Sequence, residues 1–289
     1  MLPSLARLWS TSRKFQIGLM MLFVLLVFAL LHPFFASMIG GGKNPLDIGF
    51  ADPWEVPNGE HWFGTDRYGR DLFVMTSKGL TVSLQVGLVA GLVSTVIGVI
   101  IAFVAGYKGG RADAILNTTT DMFLVVPSLP LLLTLSAYIK HLTLFDVSLM
   151  LAAFSWPFAA RTLRSQVLSL RSRPYVELAK VTTLSDMEII FQELVPNLLP
   201  YIGVGLTNAA LNAIFALVAL EVIGLGPSNV IDLGMMINFA IGWGALSLGA
   251  WPIFVAPVIV LSLLFISFNL INIGLEEVYN PRLRGTAGA

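Results

Sequence analysis

Apolar residues along this chain gather into six long runs, separated by stretches where charges and turn formers collect. About 20 consecutive apolar residues suffice for a helix to cross roughly 30 Å of hydrocarbon. The pattern predicts spans at about 17–39, 82–106, 117–139, 145–163, 198–223 and 250–273. The first, "IGLMMLFVLLVFALLHPFFASMI", is longer than the apolar core of a cleavable signal peptide and is read as an uncleaved span. Pro127 and Pro130, in "VVPSLPLLL", are expected to kink the third. The fold class is therefore all-α integral membrane, with about six transmembrane helices.

The polar stretches set the orientation. Lys43, Arg67, Arg70, Lys78 and Lys140 fall in alternate segments from every other basic residue, so the Arg- and Lys-rich side is taken as cytoplasmic. Both termini then face inward. This divides the chain into a cytoplasmic N-terminus (1–16), a first helix (17–39), an extracytoplasmic segment (40–79), a membrane core (80–273) and a cytoplasmic tail (274–289). A polar cytoplasmic insertion at 164–197 interrupts the core. The outer segment carries "GGGKNPLD" and "ADPWEVPNGEHW", both rich in turn formers.

Composition agrees. Charged residues make up only 12% of the chain and hydrophobic ones 56%, about half the charge fraction of a soluble domain. There is no cysteine, which excludes disulfides and thiolate chemistry, and the net charge of zero gives no sign of nucleic acid. No G-x-x-x-x-G-K-[ST] occurs, and "GYKGGRADA" at 106–114 lacks phosphate-cradle spacing. An energy-consuming process would take its ATP through another chain. His32, His61 and His141 are scattered without ligand spacing, so no metal site is expected.

The most informative polar stretch is "PYVELAKVTTLSDMEIIFQELVPN", residues 174–197. Pro174 suits the first turn of a helix running to Val181, with Glu177 and Lys180 on its polar side. Thr182 and Thr183 break it. Ser185-Asp186-Met187-Glu188 is a capping box that starts a second helix, with Leu184 positioned to staple onto Ile189. Met187, Ile190, Phe191, Leu194 and Val195 recur at helical spacing and predict its apolar face; Pro196 and Pro200 mark entry into the fifth span. Glu177, Asp186, Glu188 and Glu193 outweigh Lys180, which disfavours contact with an anionic lipid leaflet and favours docking of a protein.

Other polar positions have two readings each. Gln85, Asn208 and Asn212 lie within spans, where polar groups line pathways or bond between helices. Asn208 and Asn212 share one helix face. Asp66, Arg67, Arg70 and Asp71 alternate in sign within "FGTDRYGRDLF", forming either structural ion pairs or an extracytoplasmic docking face. Glu221 reads as interfacial at the outer end of the fifth span.

Glu177-x-Ala179, followed by a break and "LVPN" at 194–197, resembles the EAA loop of type I ABC importer permeases. "EHWFGTDRYGRDLF" at 60–73 and "NPRLRG" at 280–285 are similar to segments of the C-type permease of the peptide/nickel family. Leu178 replaces the first alanine of the pattern, and Thr183 stands where a glycine is usual.

The resemblance implies half of a translocation pore. Its partners would be a second homologous permease, two ABC ATPase subunits, an extracytoplasmic solute-binding protein and membrane lipid. The coupling residues would be Glu177, Ala179, Lys180, Thr183, Ser185, Asp186, Glu188 and Pro196. The chain itself would bind no cofactor and catalyse nothing, with ATP and Mg used by the ATPases. Peptide is the expected substrate, with oligosaccharide or nickel as alternatives. A membrane channel or enzyme acting alone is the reading from another class. Against it, no nucleophile–base or carboxylate–histidine constellation appears in the spans.

Overall fold

The computed structural model describes residues 12–139, 142–181, 184–227 and 230–279, with side chains described as far as 277. Lys140, His141, Thr182, Thr183 and "NPRLRG" lie outside the described residues. Among the described residues the secondary structure is helical apart from one isolated β-bridge, Thr65 with Asp71.

The first apolar run is two helices, α1 (Arg13–Leu30) and α2 (His32–Gly40). The expected unbroken span gives way at Leu31 because Pro33, two residues on, has no N–H to donate and crowds the preceding turn. The second run begins ten residues earlier than expected, as α3 (Leu72–Phe103). Asp71 caps it, its Oδ1 accepting from the Val74 N–H at 2.9 Å, so the outer segment feeds directly into the helix. A π-helical turn, Val104–Lys108, ends this rod.

The predicted kink in the third run is a full break. α4 (Gly110–Val125) and α5 (Ser128–Tyr138) meet at 78° across Pro127. α6 (Leu144–Arg171) covers the fourth run. A two-sided capping box between Thr143 and Asp146 starts it.

α7 (Pro174–Val181) and α8 (Asp186–Ile189) follow. A π-helical turn, Ile190–Leu194, carries α8 without interruption into α9 (Val195–Val222). The second helix of the polar insertion is thus the beginning of the fifth span rather than a separate element. Pro196 sits where a helix begins in any case, and the π turn absorbs the register change. α10 (Leu233–Gly242) was not expected in the outer loop; α11 (Pro252–Tyr279) is the last run.

Among the described residues four helices are long and apolar enough to cross a membrane: Arg13–Leu30, Leu72–Lys108, Asp186–Val222 and Pro252–Glu277. The bent α4–α5 pair makes a fifth if counted as one span. α6 is as long as these but is interrupted by Asp146, Ser148, Ser155 and Arg161, and it packs along α3.

α3 is the central rod, held closely by α6 and α9 through small residues. A Cβ on Gly91 would lie 2.9 Å from the Ala210 Cβ, and one on Gly98 would lie 2.8 Å from the Ala159 Cβ. Such close approach gives packing energy where lipid supplies no hydrophobic drive. α1 lies along α11 in the same way, Gly274 fitting against Phe15. Glu277 ties the start of α1 to the end of α11, accepting from Lys14 at 2.6 Å and Ser12 at 2.8 Å.

Candidate functional site

The polar insertion is pinned from behind and open in front. Val176 and Ala179 of α7, Ile189 of α8 and Leu194 are buried in a cluster with Phe103, Val167 and Leu198. Leu184 joins the same cluster, which suits its place before the cap. The capping box is formed: Ser185 N–H donates to Glu188 Oε2 at 2.7 Å, and Glu188 N–H donates to Ser185 Oγ at 3.4 Å.

On the outward side Leu178 is 66% exposed and Phe191 62%, with Met187 and Val181 similarly open. Glu177, Lys180, Asp186 and Glu188 are exposed beside them. Of the five residues that the periodicity places on a packed face, Leu194 is buried and Ile190 and Val195 pack against the same cluster, whereas Met187 and Phe191 are exposed and Ile189 is buried in their stead. The π turn rotates the register between them, leaving an apolar patch with an acidic border facing away from the body.

The polar ends of α3, α4 and α6 brace this segment. The Tyr107 hydroxyl donates to Asp186 Oδ1 at 2.9 Å, and the Lys180 ammonium lies 5.7 Å from the Tyr107 ring centre. Arg164 grips Asp113 with two bonds, Nε to Oδ1 at 2.6 Å and Nη2 to Oδ2 at 2.8 Å. Arg171 Nη1 donates to the Gly106 carbonyl at 2.9 Å, satisfying a carbonyl at the end of the α3 rod. On α7, burial raises the pKa of the Tyr175 phenol, and the charge of Glu193 adds to the effect. Sequence reasoning missed Tyr107, whose only signal was an aromatic hydroxyl beside the 106–114 glycines.

At the opposite end, the charges of the 60–73 stretch separate. Asp66, Asp71 and Arg70 are buried, whereas Arg67 is exposed. Asp66 organises its own turn, accepting from the Tyr68 and Arg70 backbone N–H groups and from Arg70 Nε at 2.7 Å. Asp71 accepts from Val74 through one oxygen and pairs with His61 Nδ1 at 2.8 Å through the other. The Arg70 guanidinium also lies over the rings of Tyr68 and of Phe239 in α10. Trp54, Tyr68 and Phe239 surround Trp243, so an aromatic box clamps the outer segment onto α10.

The three polar span positions part company. Asn208 Oδ1 accepts from Asn272 Nδ2 at 3.0 Å, a bond between α9 and α11. Asn212 is exposed and lines a cavity of about 330 Å³ with Leu124, Ser128, Ser155 and Phe215. Gln85 lines a separate, largely apolar cavity of about 380 Å³ between α1, α3 and α9.

A bundle of long apolar helices, with a braced and partly uncovered helical pair on its polar end, is the build of a transport permease. The chain belongs to the family of binding-protein-dependent transport system inner membrane components, whose model matches residues 94–285. It is similar to the oligopeptide transport system permease protein OppC of Bacillus subtilis, 31% identical over 270 residues that cover 93% of this chain and 86% of the relative. The dipeptide transport system permease protein DppC of the same organism is 33% identical over 280 residues, 96% of this chain and 85% of the relative. A putative peptide transport system permease protein of Brucella suis is 32% identical over 289 residues, 96% of this chain and 91% of the relative. The chain is a multi-pass membrane component of a transporter.

Proposed function

We propose that this chain is one of two permease subunits that together form the translocation path of an ATP-driven importer of peptides. Peptide is the substrate class named for the relatives above. The second permease is a homologue of this chain, and a solute-binding protein delivers cargo from the extracytoplasmic side. ATP and Mg are used by two ATPase subunits on the cytoplasmic side, where the basic residues and both termini lie.

The observation that carries this reading is the open apolar patch of Leu178, Val181, Met187 and Phe191 on a segment whose other face is fixed in the body. Its acidic border opposes anionic lipid, and helix-in-groove docking is the mode its shape fits. Glu177, Lys180 and Asp186 edge the contact, while Ser185 and Glu188 hold the second helix in register. Because α8 runs on through the π turn and Pro196 into α9, closure of the ATPase pair would displace a span directly. That is rigid-body gating between inward- and outward-open states.

The test is tagged purification from native membranes in mild detergent, with mass spectrometry of what is retained. A second permease and Walker-motif ATPases are expected with the wild type. The Leu178→Glu, Phe191→Glu double variant should lose the ATPases while keeping its unfolding temperature. ATPases retained on that variant would overturn the docking assignment. Uptake of labelled oligosaccharide or nickel, but not of labelled peptide, by the reconstituted complex would overturn the substrate.

A further inference from the structure

Two carboxyl groups meet without a cation at the outer end of the molecule. Glu221, in the last turn of α9, is 4% exposed, and Asp232, the N-cap of α10, is wholly buried. The two side chains lie within hydrogen-bonding reach of each other. Asp232 Oδ1 accepts from the Met235 N–H at 2.7 Å and the Gly234 N–H also faces this carboxyl, but among the described residues no donor reaches the buried Asp232 Oδ2 or Glu221 Oε1.

The site is walled by backbone. A Cβ on Gly226 would overlap the Glu221 carboxyl, and one on Gly234 would fall 2.8 Å from the Glu221 Cβ. On α3, a Cβ on Gly79 would lie 3.0 Å from the Asp232 carbonyl carbon.

The charged groups around this corner are few. α9 contributes only Glu221, α10 contributes none, and α3 contributes only Lys78. Lys78 lies within electrostatic range of His32, and Arg70, over the Phe239 ring, is bound to Asp66. On α11 the acidic residues Glu276 and Glu277 lie in its last turns, and Glu277 is held by Lys14. Among the described residues no ion pair reaches Glu221 or Asp232.

Two ionised carboxylates cannot share so dry a site, because desolvation and mutual repulsion both oppose the second charge. We propose that Glu221 and Asp232 hold one proton between them, a protonation site that locks α10 onto the end of α9 and opens when the proton leaves. The proton supplies the donor that the two orphaned oxygens lack. Its exchange route is the extracytoplasmic side, through the slight exposure of Glu221. Burial also pushes the Asp232 carboxyl above the ordinary carboxylate range. The inference does not depend on the identity of the cargo or on ATPase docking.

Linkage fixes the sign. At neutral pH the folded pair keeps a proton that both carboxyls have released in the unfolded chain, where they titrate at about pH 4. The folded state binds more protons, so stability falls as pH rises above about 4 and levels off once the pair has ionised.

The experiment uses the full chain in lipid nanodiscs. Infrared spectra in light and heavy water, from about pH 5 to about pH 9, would follow the protonated-carboxyl stretch above the ordinary carboxylate range. The expected result is a deuterium-sensitive band at neutral pH that is absent from Glu221→Gln. In parallel, the wild-type Tm should fall by on the order of 3 °C per pH unit, and the Tm of Glu221→Gln should be flat. Asp232→Asn, which retains an N-cap, should flatten the slope too and serves if the first variant does not fold. A wild type with no such band, or variants that keep the wild-type slope, would overturn the proposal. So would a Tm set by added Na⁺ or Ca²⁺ at fixed pH, since the orphaned oxygens would then belong to a metal cation.

Discussion

The Tyr107 hydroxyl donates a 2.9 Å hydrogen bond to Asp186, joining the π-helical end of the central rod to the first turn of α8. Residues 79 apart in sequence thus link the scaffold to the segment that carries the open apolar patch. The bond is exposed and worth about 1 kcal/mol or less in stability. Tyr107→Phe should therefore leave the unfolding temperature nearly unchanged. In the assembled transporter it should weaken the stimulation of ATP hydrolysis by loaded binding protein, measured as phosphate release. Unchanged stimulation would confine Tyr107 to packing.

The ion pair of Asp66 and Arg70 is buried, and removing one partner strands the other charge. Arg70→Ala should cost about 3–5 kcal/mol and release the aromatic clamp on α10. Arg67→Glu, on an exposed side chain, should stay within about 0.5 kcal/mol. Thermal unfolding followed by tryptophan fluorescence separates them, since Trp54 and Trp243 both report on the clamp.

Glycines at helix contacts divide into tight and open positions. A Cβ at Gly274 meets the Phe15 backbone nitrogen at 2.6 Å, whereas one at Gly203 has only Leu275 Cδ1 at 3.9 Å. Gly274→Val should detach α1 from α11 and sharply reduce the yield of monodisperse protein on size-exclusion chromatography. Gly203→Ala should be neutral or stabilising by up to about 1 kcal/mol.

The two asparagines of α9 should respond differently. Asn272→Leu removes the partner of Asn208 and should cost about 0.6–2 kcal/mol, with uptake per folded molecule unchanged. Asn212→Leu, on an exposed position beside a cavity, should leave stability alone and change the uptake rate. Equal stability losses in both variants would assign Asn212 to packing as well.

What the sequence made legible follows from local physics. The start of α7 at Pro174 and the Ser185–Glu188 box depend on side chains reaching their own backbone, so reading a few residues sufficed. The break at Leu31 was missed because the apolar run is continuous through it, and hydropathy does not register a proline's missing N–H. The exposure of Met187 and Phe191 was missed because a 3.6-residue period assumes an unbroken α-helix, and the π turn at Ile190–Leu194 shifts the face. The burial of Glu221 depends on contacts with α10, and Asp66 is bound to Arg70, which lies over Phe239 of that helix; its ten residues are too few to show as a span.

From Asp186 to Val222 the chain is a single helical run of 37 residues, about 55 Å long at 1.5 Å per residue. One tip carries Met187 and Phe191 of the open patch and the other carries Glu221. Such a rod works as a lever pivoting where α3 grips it through Gly87 and Gly91, at Ala210 and Ile214, nearer the Glu221 end than the Asp186 end. A tilt of about 10° would swing the Asp186 tip by roughly 7 Å and the Glu221 tip by roughly 3 Å, in opposite directions. Force applied on one side of the membrane would arrive at the other as strain on the α10 joint, with no relay of separate parts between them.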